Sequence, residues 1–243
     1  MKMKGIIGDN RMPSVETNTM TISKKTNEIL KNFAGINPSI CIQRGNKIIT
    51  LSPTKNIMAE AEVQENFEHD VRIADLNRFL SSISLHSDPA MSFEKDRVIV
   101  TGSSGATAKI LYSDPAVVQP VTKKLSMPDI VGSFDLTAQR LSELLKASAV
   151  MQLPNLKIKS NGKGKAHAIL FDKSDPLSND FSVEISCTGN SPFSVSFKVE
   201  TLKLIPGDYT VEISKNIVSR FTHKTENLKY FIAMDFKTGE EQE

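Results

Sequence analysis

The sequence has no tryptophan, three tyrosines and two cysteines among its 243 residues. Platforms that stack sugars or unpaired bases draw on such rings, so neither activity is indicated. Cys41 and Cys187 are too few for a disulfide framework or a zinc site. Each sits in an alternating, strand-like stretch, and both are read as reduced structural residues in a cytosolic setting. No apolar run reaches the ~18 residues that a membrane helix needs. Lysines at the N-terminus (Met1–Asp9) have no long apolar region behind them, which argues against a secretory signal. Strong charge of one sign is missing too: 30 Lys and Arg stand against 28 Asp and Glu, for a net charge of +2. Nucleic-acid-binding domains usually lean basic. Any such surface here must therefore come from segregating charge by face.

Reaction chemistry is equally sparse. The sequence holds no G-x-x-x-x-G-K-[ST] phosphate loop, and Gly162-Lys163-Gly164 reads as a hairpin turn. His69, His86, His167 and His223 are scattered and form no H-x-x-x-H pair, so no metal site is expected. Ser52-Pro53-Thr54-Lys55 and Lys237-Thr238-Gly239 match two marks of serine β-lactamases and penicillin-binding proteins. That chemistry needs the serine at a helix start, with the lysine one turn on. Pro53 and the flanking strands make the first a turn, and no S-D-N accompanies it. Asp70 and Asp75 flank a strand–helix junction, where Asp75 is read as a helix-start charge. Nothing converges on a reaction, and no cofactor is expected.

What is present is a globular composition, 39% hydrophobic and 24% charged, with a repeating pattern. Residues 1–20 are polar and aperiodic and read as a flexible extension, with Met20 a candidate start. A helix is predicted from the Ser23 cap to the Gly35 stop. It buries Ile29, Leu30, Phe33 and Ala34, and presents Lys24, Lys25, Glu28, Lys31 and Asn32. Two lysines in its first turn oppose the helix dipole. Short alternating strands follow, with turns at Gly45-Asn46 and Pro53–Asn56, up to a strand over 67–73. A second helix is expected over 73–84, then strands ending near Tyr112. Residues 114–128, with Pro115, Pro120 and Pro128, read as an extended connector. The order then repeats: a helix over 137–151 with Met151 on its apolar face, strands, a short helix over 200–204, and three closing strands. Ala108–Asp114 and Leu228–Asp235 are weakly alike, which suggests internal duplication. So few helices cannot cover both faces of so many strands, so either the sheets pack on something else or the helices lie on one side only.

Thr21–Asn37 (TISKKTNEILKNFAGIN) and Phe67–Leu85 (FEHDVRIADLNRFLSSISL) resemble the DNA polymerase sliding clamp of T-even-type bacteriophages. So do the connector Asp114–Pro128, the helix Arg140–Leu153, the KLIPGDY turn (Lys203–Tyr209) and the closing LKYFIAMD. The resemblance runs from about Thr21 to Asp235. It implies an α+β fold of two similar clamp-type domains, 21–113 and 129–243, joined by the connector 114–128. Antiparallel sheets would lie outside and four helices inside, in a closed ring of three subunits around duplex DNA. The implied protein is no enzyme. It tethers the replicative DNA polymerase for processive synthesis, is opened by an ATP-dependent clamp loader, and serves late transcription through a sigma-like factor and a co-activator. It works in the cytoplasm of the infected bacterial host, without membrane contact.

On that resemblance Lys24 and Lys31 match basic positions of the first helix, Lys146 one on the third and Lys203 one on the fourth. Lys25, Arg78 and Arg140 are basic additions to the pattern, whereas Ala149 replaces a basic residue. These seven basic residues are the expected ring lining. Val117, Val118 and Pro120 are the expected border of an apolar pocket for partner tail peptides. A non-enzymatic, β-rich virion protein is the alternative reading.

Overall fold

The computed structural model describes residues 19–237 apart from Pro176, Asn190 and Asn216. In chain order its first elements are β1 (Thr19–Met20), α1 (Lys24–Ala34), β2 (Ile40–Ile42), β3 (Gly45–Leu51), β4 (Ile57–Phe67), β5 (Val71–Ile73) and α2 (Leu76–Ser84). Then come β6 (Ala90–Phe93), β7 (Arg97–Thr101) and β8 (Thr107–Leu111). After the connector follow β9 (Ile130–Leu136), α3 (Ala138–Met151), β10 (Asn155–Ser160), β11 (Lys165–Phe171), β12 (Phe181–Thr188) and β13 (Phe193–Lys198). The last are β14 (Tyr209–Ser214), β15 (Val218–His223), β16 (Leu228–Ala233) and β17 (Asp235–Lys237). Residues 114–128 contain neither helix nor strand. No helix among the described residues is long and apolar enough to cross a membrane.

The strands pair antiparallel in three sheets. One has the order β1-β6-β7-β8, one is the pair β2-β5, and one has eleven strands, β17-β13-β10-β11-β12-β9-β14-β15-β16-β4-β3. The junction β16–β4 joins the two halves of the chain, with Leu228 opposite Ala61, Tyr230 opposite Ala59 and Ile232 opposite Ile57.

Directly opposed residues of an antiparallel pair share a face. One such row crosses the junction as Ala59, Tyr230, Phe221, Val211, Phe134 and Cys187, and all six are buried. The neighbouring row is Glu60, Lys229, Thr222, Thr210 and Asp135, and its residues point the other way. It carries the ion pairs Lys47–Glu60 (3.2 Å) and Lys224–Asp135 (2.6 Å). The large sheet thus has one apolar and one charged face. Leu141 and Leu144 of α3 line an apolar void with Phe134, Phe221 and Ile158. Asn32 of α1 bonds the hydroxyl of Tyr230, and α2 packs beside α1. So α1 and α3 stand on the same, apolar face, the second of the two arrangements that so few helices allow.

Several expectations are corrected in detail. The fourth helix is a single 3₁₀ turn, Val199–Leu202, because Pro206-Gly207 follows too closely for a full helix. The predicted strand over 67–73 splits at Glu68–Asp70 into the end of β4 and β5. Helix α2 starts later than expected, with Asp75 as its N-cap. The hairpin glycine Gly45 opens β3 with φ 115°, so the turn precedes it. Met151 is exposed rather than core, since α3 ends there with Gln152 in the left-handed region. Thr19 and Met20 pair with Ser92 and Met91 and so belong to a sheet, not to the extension. The remainder of that extension, Thr238-Gly239 and the acidic tail Glu240–Glu243 lie outside the described residues.

Cys41 and Cys187 are free and buried, and burial pushes both thiols up. Ser52 caps the β3–β4 hairpin. Its Oγ accepts from the amides of Asn56 and Ile57, both at 3.1 Å, while Lys55 sits at φ 57° in the turn. That geometry is a turn and not a nucleophile at a helix start.

Gly207 is the tightest position. A Cβ there would stand 2.0 Å from His223 Nε2. The ring cannot swing aside, because its Nδ1 accepts from Glu226 N at 3.2 Å and it packs edge-on to Tyr209. Gly207→Ala should lower stability by about 1–3 kcal/mol, read by thermal or urea unfolding.

Candidate nucleic-acid interface

Helix α1 forms as its sequence dictates. Ser23 Oγ accepts from Thr26 N at 3.2 Å, and Gly35 closes the last turn. Its lysine-rich first turn contains no acid, which an isolated helix would tolerate poorly. The compensating charge comes from behind. Glu65 of β4 accepts from Ser23 N and from Thr26 Oγ1, each at 2.5 Å. Burial raises the pKa of this carboxyl, but its hydrogen bonds, those from Ser23 N and Thr26 Oγ1 foremost, together outweigh it and hold the pKa below its ordinary value.

Helix α3 repeats the arrangement. Thr137 caps it by accepting from Arg140 N, and Asp208 from the distant β13–β14 connection accepts from Ala138 N at 2.7 Å. In α2 the acid is the N-cap itself, with Asp75 accepting from Arg78 N at 2.9 Å. In each helix the anion is on or behind the cap, and the outward side carries Lys24, Lys31, Arg78 and Lys146 with the acids Glu28 and Glu143 among them.

Lys24, Lys31, Arg78, Lys146 and Lys203 are exposed. They form no ion pair with another described residue. Lys24 and Lys31 are two turns apart, so they share a stripe, with the exposed Glu28 between them. Lys25 and Arg140 are compensated instead, Lys25 by Glu226 at 3.0 Å and Arg140 by Glu143. Lys203 is far from α1 in sequence, but its carbonyl accepts from Asn32 Nδ2 at 3.0 Å. That hydrogen bond brings Lys203 next to the helix of Lys24 and Lys31. Long cationic side chains on rigid elements suit phosphate contacts without base readout.

In the connector, Asp114 nucleates a turn, accepting from Ala116 N through its side chain and from Val117 N and Val118 N through its carbonyl. Val118 is buried and anchors the segment, while Val117 is 73% exposed and Pro120 is intermediate.

Reading the sequence missed Glu65, Asp208 and the coupling of Asn32. The signal for Glu65 was present: it occupies the inward parity of Ala61, Val63 and Phe67 in β4, where an acid needs a partner.

Replacing Glu65 tests the cap. Its folded pKa is depressed, so its contribution is full above the ordinary carboxylate range and is lost as pH falls through the depressed value. Glu65→Gln should cost about 1.5–3 kcal/mol at neutral pH, the range for hydrogen bonds to a charged group. The gap to the parent should narrow on acidification in unfolding titrations at a series of pH values.

Comparison with known proteins supports the sequence resemblance. A family model described as DNA polymerase processivity factor matches residues 22–91. The sliding clamp of Vibrio phage KVP40 is 29% identical over 221 residues, covering 89% of this chain and 99% of the relative. The sliding clamps of Escherichia phage RB69 and Enterobacteria phage T4 are each 29% identical, over 89% of this chain and 97% of the relative. Among solved structures, Proliferating Cellular Nuclear Antigen from Entamoeba histolytica superposes with a TM-score of 0.66 at 10% identity, covering 86% of this chain and 94% of that one. The counterpart from Thermococcus kodakaraensis gives 0.66 at 11%, covering 89% and 98%. Sequence relatives and family model point the same way: the chain is similar to the phage sliding clamps over 89% of its length, and to the DNA polymerase processivity factors over residues 22–91.

Proposed function

We propose that the chain is a non-enzymatic sliding clamp: three copies close head to tail around duplex DNA and tether the DNA polymerase for processive synthesis. The observation that carries this reading is the single-sided arrangement. One face of a continuous sheet bears α1 and α3, and those helices turn Lys24, Lys31 and Lys146 to solvent. Duplex DNA carries one charge per ~1.7 Å of axis. A clamp must hold that charge without reading sequence, and ring closure supplies the retention, so each phosphate contact can be weak.

Open sheet edges support the ring. Among the described residues β8 pairs only with β7, and it exposes Leu111 at 69%. β12 meets β9 only at Cys187 and Thr188, which leaves 181–186 with one edge unpaired among the described residues. Free edges invite pairing with another chain, and joining unlike edges head to tail generates a closed ring when the rotation closes. Val117 and Pro120, over the buried Val118, are the border offered to partner peptides. The family resemblance adds an ATP-dependent loader, a sigma-like factor and co-activator for late transcription, and the cytoplasm of the infected host.

Light scattering on a sizing column tests the assembly. Three chains of 26.8 kDa give about 80 kDa, and a strictly monomeric species at all concentrations speaks against a free-standing ring. The pair Lys24→Glu and Lys31→Glu should keep its unfolding midpoint yet shorten processive synthesis by on the order of tenfold, more at low salt. Full processivity in that variant excludes the assigned lining.

A further inference from the structure

Lys203 poses a positioning problem. It follows the 3₁₀ turn in irregular backbone, with φ −75° and ψ 65°, so no helix ladder holds it. The buried backbone around it is tied instead by side chains from three elements. Asn32 of α1 donates to Lys203 O at 3.0 Å. Tyr230 of β16 accepts from Ile205 N at 3.3 Å, and Tyr209 of β14 donates to Ile205 O at 2.5 Å. Tyr230 also donates to Asn32 Oδ1 at 2.7 Å, which closes the set. Both tyrosines are fully buried. Burial pushes both phenols far up, so they stay protonated donors. Apart from the ammonium at the end of the Lys203 side chain, the network is uncharged, so salt does not loosen it directly.

We propose that Asn32, oriented by Tyr230, is a positioning residue that fixes Lys203 next to Lys31 and so splices the basic surfaces of the two chain halves into one track for duplex DNA. The inference rests on the clamp reading. Asn32 belongs to α1, next to Lys31, and bonds the loop of the second half at Lys203 O, so it sets the spacing between cations that belong to different halves. In effect the network replaces the fourth helix that the sequence pattern suggested.

The test is the salt dependence of association between the full chain and a short blunt duplex, followed by fluorescence anisotropy. Each phosphate that a cation neutralises adds about 0.9 to the slope of log K against log salt. Lys203→Ala should flatten the slope by about that amount for each phosphate it no longer reaches. Asn32→Ala should flatten it equally, and the double variant no further. An unchanged slope in Asn32→Ala, even with a lowered melting temperature, overturns the proposal, as does additivity in the double variant. Tyr230→Phe carries the same test should Asn32→Ala fail to fold. If Lys203→Ala is silent while Lys24→Ala and Lys31→Ala flatten the slope, the positioning role falls and the clamp reading stands. If no lysine variant changes the slope, the clamp reading falls too.

Discussion

The organisation of this molecule depends on the register between β16 and β4. Five opposed pairs, from Leu228 with Ala61 to Ile232 with Ile57, make one sheet out of both halves of the chain. Because side chains alternate with period two, a slip of one residue would turn Tyr230 outward and bring Lys229 inward. Burial of an unpaired lysine beside the core is costly enough to forbid that slip. With the register held, Ala59, Tyr230, Phe221 and Phe134 form a continuous apolar floor. The helices from the two halves then have one floor to stand on, and their solvent sides share a direction.

The helices solve a second constraint, which is electrostatic. A helix N-terminus favours negative charge, whereas the DNA-facing surface proposed for these helices needs positive charge. Putting acids in the first turn would meet the first need and weaken the second. Here Glu65 and Asp208 reach the ends of α1 and α3 from remote segments. The dipole is met from the protein side, and the first turns remain free to carry Lys24 and Arg140. The opposite face of the sheet carries paired charges such as Glu60 with Lys47. In this division the uncompensated Lys24, Lys31 and Lys146 stand on the helices of the apolar face, while the opposite face holds compensated pairs.

Local signals made much of this legible in the sequence. Ser23 and Gly35 bracket α1 because capping is decided within a few residues. The alternation in β14 and the apolar stripe of α3 are likewise local. The sequence marks the stop at Pro206-Gly207 but not the 3₁₀ geometry, since Glu200–Leu204 has helical composition and the burial of Thr201 and Leu202 is set by the tertiary fold. Among the candidate cations, Lys25 and Arg140 look like Lys24 and Lys31 in sequence. Their partners differ: Glu226 reaches Lys25 from the other half of the chain, while Glu143 competes from within α3. Asn32 reads as one more polar residue on an outer helix face. Its meaning comes from Tyr230 and Lys203, which only the tertiary fold brings to it.

The two buried thiols have a practical consequence. Attack on a maleimide needs an accessible thiolate, and Cys41 and Cys187 are both enclosed and held in the thiol form. The parent chain is therefore chemically quiet toward such reagents without any engineering of its own cysteines. A single cysteine introduced at an exposed site takes up a fluorophore against a dark background. In the proposed ring, motion along duplex DNA or separation between neighbouring chains can then be followed optically in a molecule whose core has not been touched.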